Sequence, residues 1–209
     1  RDSSRHPYET LTFFEIKPDM KVVELSPGGG WYTEILANYI HKPGQLIAAH
    51  FDKDSQRAYF QRSRASFEKR IDEDPLFKDI EIVDLSSSLA EPGSVDAVLT
   101  FRNLHNWLGP QMDSIFANSS KALKPGGIFG VVEHRAKPGT SMEMMKKSGY
   151  VTEEHAIAVA KKHGFRLVNR SEINSNPKDS ANHPGGVWTL PPGLRLKDKD
   201  REKYIEIGE

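Results

Sequence analysis

The sequence predicts an α/β fold on a doubly wound, mostly parallel sheet with helices on both faces. Three observations carry that expectation. Short apolar runs alternate with segments of helical period along most of the chain. The connections between them are short and punctuated by Pro and Gly. The first apolar run ends in a glycine turn, "VVELSPGGGWYTEIL" over residues 22–36, the way a strand turns tightly into a helix. The chain's 209 residues suffice for one domain with a real core. A single domain over 1–209 is therefore expected, with its core in about 8–173 and an irregular tail or lid over 174–209.

Taken in order, "YETLTFF" reads as a short helix closed by the "KPDM" turn, and "KVVEL" as the first strand. "GWYTEILANYI" follows as a helix, ended by "HKPGQ", and "LIAAHF" is the second strand. From Asp54 to Ile71 the residues Phe60, Phe67 and Ile71 keep helical spacing, with Arg57, Arg62, Arg64 and Arg70 read as a solvated face. "DIEIVD" and "VDAVLTF" are strands three and four. "QMDSIFANSSKAL" is a helix stopped by "KPGG", and "IFGVVEH" is the fifth strand. "TEEHAIAVAKKHG" is a helix with Thr152 as its cap, and "FRLVNRSEI" the sixth strand. From Asn174 the chain turns rich in Pro, Gly and Asn and ends in the solvated charge run "KDKDREK".

Bulk properties exclude several classes. The formal net charge is zero, which disfavours nucleic acid or an anionic membrane as a bulk partner. There is no cysteine, hence no disulfide, thiolate metal site or cysteine nucleophile. No apolar stretch approaches the roughly 20 residues that span a bilayer. The sequence begins at Arg1, and both a cytoplasmic and a periplasmic or exported location stay open.

The glycine turn can be tested against known ligand patterns. A phosphate-cradling P-loop needs a Gly-Lys-Ser/Thr, and no lysine follows here. A dinucleotide fingerprint needs a third glycine for close helix packing, and counting from Gly28 and Gly30 that place holds Thr33. The remaining pattern is an acid at a strand end followed by a glycine loop: Glu24, Leu25, Ser26, Pro27, Gly28, Gly29, Gly30. Here the chain resembles the class I S-adenosylmethionine-dependent methyltransferases, whose first motif reads acid-aliphatic-G-x-G-x-G, with Ser26 standing for the first glycine. "VDAVLTFRNLHNW" resembles that family's fourth-strand motif, "ALKPGGIFGVVE" its turn into strand five, and "HGFRLV" its step into strand six. "PGGGWYTEILA" with "NLHNW" downstream is similar to a bacterial subfamily of predicted methyltransferases.

The resemblance implies a Rossmann-like sheet and S-adenosylmethionine as cofactor. Glu24 would meet the ammonium of its amino-acid end, and the turn from Ser26 and Pro27 through Gly28, Gly29, Gly30 and Trp31 would line its methionine part. The ribose position at the end of strand two holds His50 rather than an acid, so His50 would bond the ribose hydroxyls, with Asp52 two residues later as the backup. Asp84 matches the acid that meets the adenine amino group, and Leu85 would pack on the ring. Arg102 and Asn103 fall where sulfonium and acceptor would meet. Trp31, Tyr32, Phe101 and Trp107 are candidates for an aromatic face near that cation.

Methyl transfer needs alignment and exclusion of water, and a base only where the acceptor must lose a proton. His105 and His134 are the base candidates, and Arg135 could hold an acidic substrate group. No His, Asp and Glu set has a recognised metal-ligand spacing, so no metal is expected. A small or medium-sized acceptor is the implied partner. A nicotinamide-dependent oxidoreductase and a non-catalytic cofactor-binding protein are the competing readings. The family's seventh strand is short here, as "KYIEI", or lies outside this sequence. An open edge there could be covered by dimerisation with a second copy.

Overall fold

The computed structural model describes all residues, Arg1–Glu209. In chain order the helices are α1 (Asp2–Arg5), α2 (Pro7–Phe13), α3 (Trp31–Tyr39), α4 (Ala58–Glu73), α5 (Leu104–Trp107), α6 (Pro110–Ala122), α7 (Met142–Ser148), α8 (Glu153–Lys162) and α9 (Arg201–Ile207). The strands are β1 (Lys21–Leu25), β2 (Gln45–His50), β3 (Glu81–Asp84), β4 (Val95–Phe101) and β5 (Leu123–Val132). The chain divides into two compact units. The sheet unit is Phe14–Phe101 with Asp113–Val131, and the second unit is Arg1–Phe13, Arg102–Met112 and Val132–Glu209.

In the sheet unit the strand order is β3-β2-β1-β4-β5. β1 runs parallel to β2 and to β4, with Val22 opposite Leu46 on one side and Ala97 on the other. β2 and β3 are also parallel, and His50 pairs with Asp84 at their carboxyl ends. After their first residues β1 and β2 are buried throughout, as the central strands of a parallel sheet covered on both faces must be. Helix α3 buries Tyr32, Thr33 and Leu36, and α4 buries Arg64, Phe67 and Ile71, each set at helical spacing. Phe67 and Ile71 pack with Ala48 of β2 and Phe77 of a short 3-10 turn. Arg64 in that stripe corrects the expectation that the arginines of this segment are all solvated. It lies 6% exposed because its guanidinium finds acceptors at the strand ends.

The second unit has a separate core of Ala136, Tyr150 and Val187, with Ala181 and Trp188 packed against it. Ser141 caps α7 by accepting the Met144 N–H, and Thr152 caps α8 by accepting that of His155. The tail is fastened rather than loose. A Cβ on Gly186 would lie 1.9 Å from the Ser148 carbonyl oxygen, and the Asn176 amide donates to the carbonyls of Ile207 and Glu209.

The expected sixth strand is absent, and of the two alternatives for the seventh, a short strand at "KYIEI" is not met. The stretch 165–173 forms no strand, and Leu167 and Val168 are exposed. Its alternating apolar face, begun by Phe165 and Leu167, breaks at Asn169 and Ser171, so pairing would bury little. Arg170 and Glu172 instead pair with Glu153 and Arg135. "KYIEI" lies in helix α9, where the charged helix formers around it agree with the period. Tyr204 is buried and Ile207, about one turn on, is partly buried, with Ile205 and Glu206 exposed between them, a helical and not a strand pattern. The charge run before α9 is exposed, as its composition predicts.

Candidate active site

The turn after β1 is shaped by three left-handed residues, Ser26 (φ +51°), Gly28 (φ +60°) and Gly30 (φ +81°). Ser26 therefore takes the conformation a glycine would adopt without cost. A Cβ on Gly28 or Gly29 would meet nothing within 4 Å, so open space borders the turn. The Ser26 N–H goes to the Ala49 carbonyl and the Gly30 N–H to that of Pro27, which leaves the Gly28 and Gly29 amides for a ligand or water.

Two side chains orient this turn. His50 is fully buried, and its Nδ1 accepts the Phe51 N–H at 2.8 Å. The ring proton therefore sits on Nε2, which donates to the Gly28 carbonyl at 3.2 Å. Burial, foremost, holds the His50 pKa below its ordinary value and keeps the ring neutral. Arg70 Nη1 donates to the carbonyls of Gly29 (2.6 Å) and Gly30 (3.2 Å). In a trans peptide the C=O and the following N–H point opposite ways, so drawing the Gly28 carbonyl to His50 aims the Gly29 amide away from it. Both His50 nitrogens are thus engaged by the chain's own backbone. Its work lies on the turn, and neither is left for a ribose hydroxyl.

The acids at the strand ends cross-brace one another. Asp52, after β2, accepts the Ser86 N–H (3.0 Å) and hydroxyl (2.6 Å). Asp84, at the end of β3, accepts the Lys53 N–H (3.2 Å) and Arg64 Nη1 (2.9 Å) through one oxygen. Leu85 is buried, and its N–H donates to the His50 carbonyl. Glu24 lies 2% exposed and accepts the Thr33 hydroxyl at 2.6 Å, joining β1 to the first turn of α3. Burial pushes its pKa up to about 7 against the opposing effect of Thr33. Tyr32 stacks on Phe101 with ring centroids 3.5 Å apart, and Trp31 meets Tyr32 edge-on. A cavity of about 370 Å³ opens beside the turn, lined by Gly28, Gly29, Tyr59, Arg62, Ser63 and Arg70 among others.

The second unit gathers a different set. His105 Nδ1 lies 3.1 Å from Glu133 Oε1, and the His105 N–H points at Oε2. A carboxylate on Nδ1 places the ring proton there and leaves Nε2 as an acceptor, with no bond inside the chain. Burial works to raise the Glu133 pKa, but the hydrogen bonds from His105 and the His134 N–H bring it below the ordinary value. His134 Nε2 accepts from Arg102 Nε at 2.8 Å. Burial, then the Arg102 charge, lowers the His134 pKa to about 4. Arg102 is held at φ +66°, a strained backbone for a bulky side chain. Its Nη1 donates to Glu209 Oε2 at 2.6 Å. Asn103 precedes α5 and accepts the Asn106 N–H through its carbonyl. Trp107, a candidate for the cation's aromatic face, is buried in α5. Arg135 turns to Glu172 at 2.7 Å and to Glu153, so both acids already occupy its guanidinium.

The contributions of Arg64, Arg70, Asp179 and Glu209, and of Arg5, which donates to Glu209 through Nε, had no local sequence signal. Asp179 holds both the Tyr150 hydroxyl and His183 Nε2. Glu133 alone had one, a strand-end acid beside His134. No group of three or more His, Asp and Glu side chains converges as a metal site. No helix is long and apolar enough to cross a membrane.

Residues 23–131 match the family model described as a methyltransferase domain. A solved S-adenosylmethionine-dependent methyltransferase from Aquifex aeolicus superposes with a TM-score of 0.61 at 15% identity, over 78% of this chain and 81% of that one. The [4+2]-cyclase SpnF gives 0.63 at 17% identity, over 80% of this chain and 59% of its own. Phosphoethanolamine N-methyltransferase 2 of Haemonchus contortus, solved with S-adenosylmethionine, gives 0.58 at 19%, over 77% of this chain and 36% of its own. These likenesses speak for the fold, since one fold carries many reactions. No curated protein matches the chain. The family match spans more than half of the sequence, and the chain belongs to the class I methyltransferases, enzymes that use S-adenosylmethionine as methyl donor.

Proposed function

We propose that this enzyme methylates a small or medium-sized acceptor whose nucleophile gives up a proton to His105, with Glu133 fixing the imidazole. The observation that carries the reading is the His105–Glu133 pair, both side chains under 10% exposed, with His105 Nε2 left as an acceptor. S-adenosylmethionine, when bound, would supply an electrophilic methyl group. The Gly28 and Gly29 amides would receive the cofactor's carboxylate. Asp84, with its second oxygen, would meet the adenine amino group, and Asp52 would supply the ribose contact that His50 does not. Glu24 supports the turn from below rather than as an open charge. His105 takes the acceptor proton, and Glu133 stabilises the imidazolium that results. His134, neutral and bonded through Nε2 to Arg102, orients that guanidinium and is not the base. A small-molecule acceptor agrees with the phosphoethanolamine enzyme among the structural neighbours.

Calorimetric titration of S-adenosylmethionine and its demethylated product, with NADH as control, tests the cofactor assignment. Micromolar binding of the sulfonium pair is expected, with a loss of at least about 100-fold in Gly29→Arg. A Cβ there meets open space, so the variant folds and its side chain fills the room a ligand needs. Unchanged affinity in that variant would move the cofactor away from the turn.

A further inference from the structure

Glu209 sits in a seat built for an anion. Its carboxylate is clamped by Arg5 Nε at 2.5 Å and Arg102 Nη1 at 2.6 Å, with Arg1 Nε at 3.5 Å. Its side chain is 8% exposed, and those of Arg5 and Arg102 are 14% and 19% exposed. Arg5 and Arg102 each give one bond, both to Oε2, and guanidinium groups suit carboxylate or phosphate oxygens. Arg102 is also fixed from behind. Its Nε is held by His134 Nε2, its N–H by the Val132 carbonyl at 2.7 Å, and its backbone stays in a strained left-handed conformation. Strain of this kind persists where the surroundings over-determine a residue, often at ligand clamps. The other carboxylate facing Arg102, Glu133, is committed to His105 and the His134 N–H. Three guanidinium groups thus meet the Glu209 carboxylate. The ring held by Arg102 lies 6.2 Å, centre to centre, from that of His105.

We infer that Arg102 and Arg5 form the receptor for an anionic group, carboxylate or phosphate, on the methyl acceptor, and that Glu209 holds this seat as an internal surrogate. This deepens the methyltransferase reading and rests on it for the word acceptor. The anion displaces Glu209, Arg102 and Arg5 take its oxygens, and the acceptor's nucleophile is thereby tethered near His105. Arg102 acts here as a binding residue, with His134 as its positioning residue.

The test is calorimetric titration of inorganic phosphate, and separately of acetate, into the whole chain, with S-adenosylmethionine titrated in parallel. Wild type should bind phosphate weakly. Glu209→Gln, which removes the competing charge, should bind it at least about 10-fold more tightly, and Arg102→Gln in that background should abolish the gain. Preference for phosphate or for acetate assigns the acceptor's group. A Glu209→Gln variant that binds neither anion better than wild type overturns the inference, as does a gain that survives loss of Arg102. Should Glu209→Gln fail to fold, Glu209→Ala, which also removes the charge, is expected to show the same gain. Failure of both to fold makes Glu209 a scaffold residue and also overturns it. The cofactor arm separates the two readings: binding of S-adenosylmethionine without any anion effect removes this inference alone, and its absence removes the methyltransferase site.

Discussion

The glycine turn of the sheet unit and the ionic cluster of the second unit solve opposite problems. At the turn a carboxyl group, Glu24, is enclosed with a hydroxyl as its partner, and burial brings it to about 7. In the cluster Glu133 and Glu209 meet cations or strong donors and stay below the ordinary carboxylate value despite burial. The turn is made by backbone conformation, with side chains serving to aim peptide groups. The cluster is made by side chains, and the backbone strains at Arg102 to let them meet. The difference shows how one chain can aim peptide groups through backbone geometry that depends little on charge in one unit, and gather charged side chains in the other.

The largest expected effect lies in the cluster. His105→Gln should lower the turnover of any acceptor found by screening by about 10²–10⁴-fold, with cofactor affinity unchanged. Glu133→Gln should lower it less and shift the pH profile of turnover, because the ring loses the partner that fixes its tautomer. Added imidazole restoring part of the His105→Gln rate would sharpen the assignment. An unchanged rate would break it.

Next in size is the opposed pH dependence of the two regions. Glu24 has a folded pKa of about 7 against an ordinary 4.5, so its contribution is present below about 4.5 and is lost as the pH rises through 7. His134 has a folded pKa of about 4 against 6.5, so its contribution is present above 6.5 and is lost as the pH falls toward 4. Each amounts to at most about 3 kcal/mol, and the two slopes oppose one another between about pH 4.5 and 6.5. Urea unfolding across that window should be nearly flat in wild type as far as these groups are concerned. It should rise with pH in Glu24→Gln and fall with pH in His134→Gln. Parallel curves for all three proteins would refute the contrast.

The smallest effect belongs to Ser26. Its left-handed conformation costs a side chain what glycine avoids, so Ser26→Gly should stabilise the protein by up to about 1 kcal/mol, read as a rise in melting temperature. A fall would mean that the hydroxyl contributes more than the conformation costs.

What the sequence made legible follows the same division. The turn, β1 through β4 and the capped helix after Thr152 are local: their signals lie within a few residues of the structure they specify. Helix α9 misled because "KYIEI" is short enough to suit either period, and packing of Tyr204 decided it. His105 could be read as a candidate from its motif, but its partner lies 28 positions away. The Arg5–Glu209 pair spans 204 positions, a separation over which a single sequence carries no pairing information. The position of His50 was readable and its role was not, since that role depends on which carbonyl the folded turn presents.

The crossed acids at the ends of β2 and β3 carry a consequence for how this enzyme can change. Asp52 holds the loop that Asp84 begins, and Asp84 holds the loop that contains Asp52. Neither loop can be altered by itself, because each is the other's template. Sequence drift at Lys53 is cheap only while the backbone path is kept, and at Ser86 it also costs the hydroxyl bond to Asp52. A change of backbone path at this edge would therefore have to come through paired replacements.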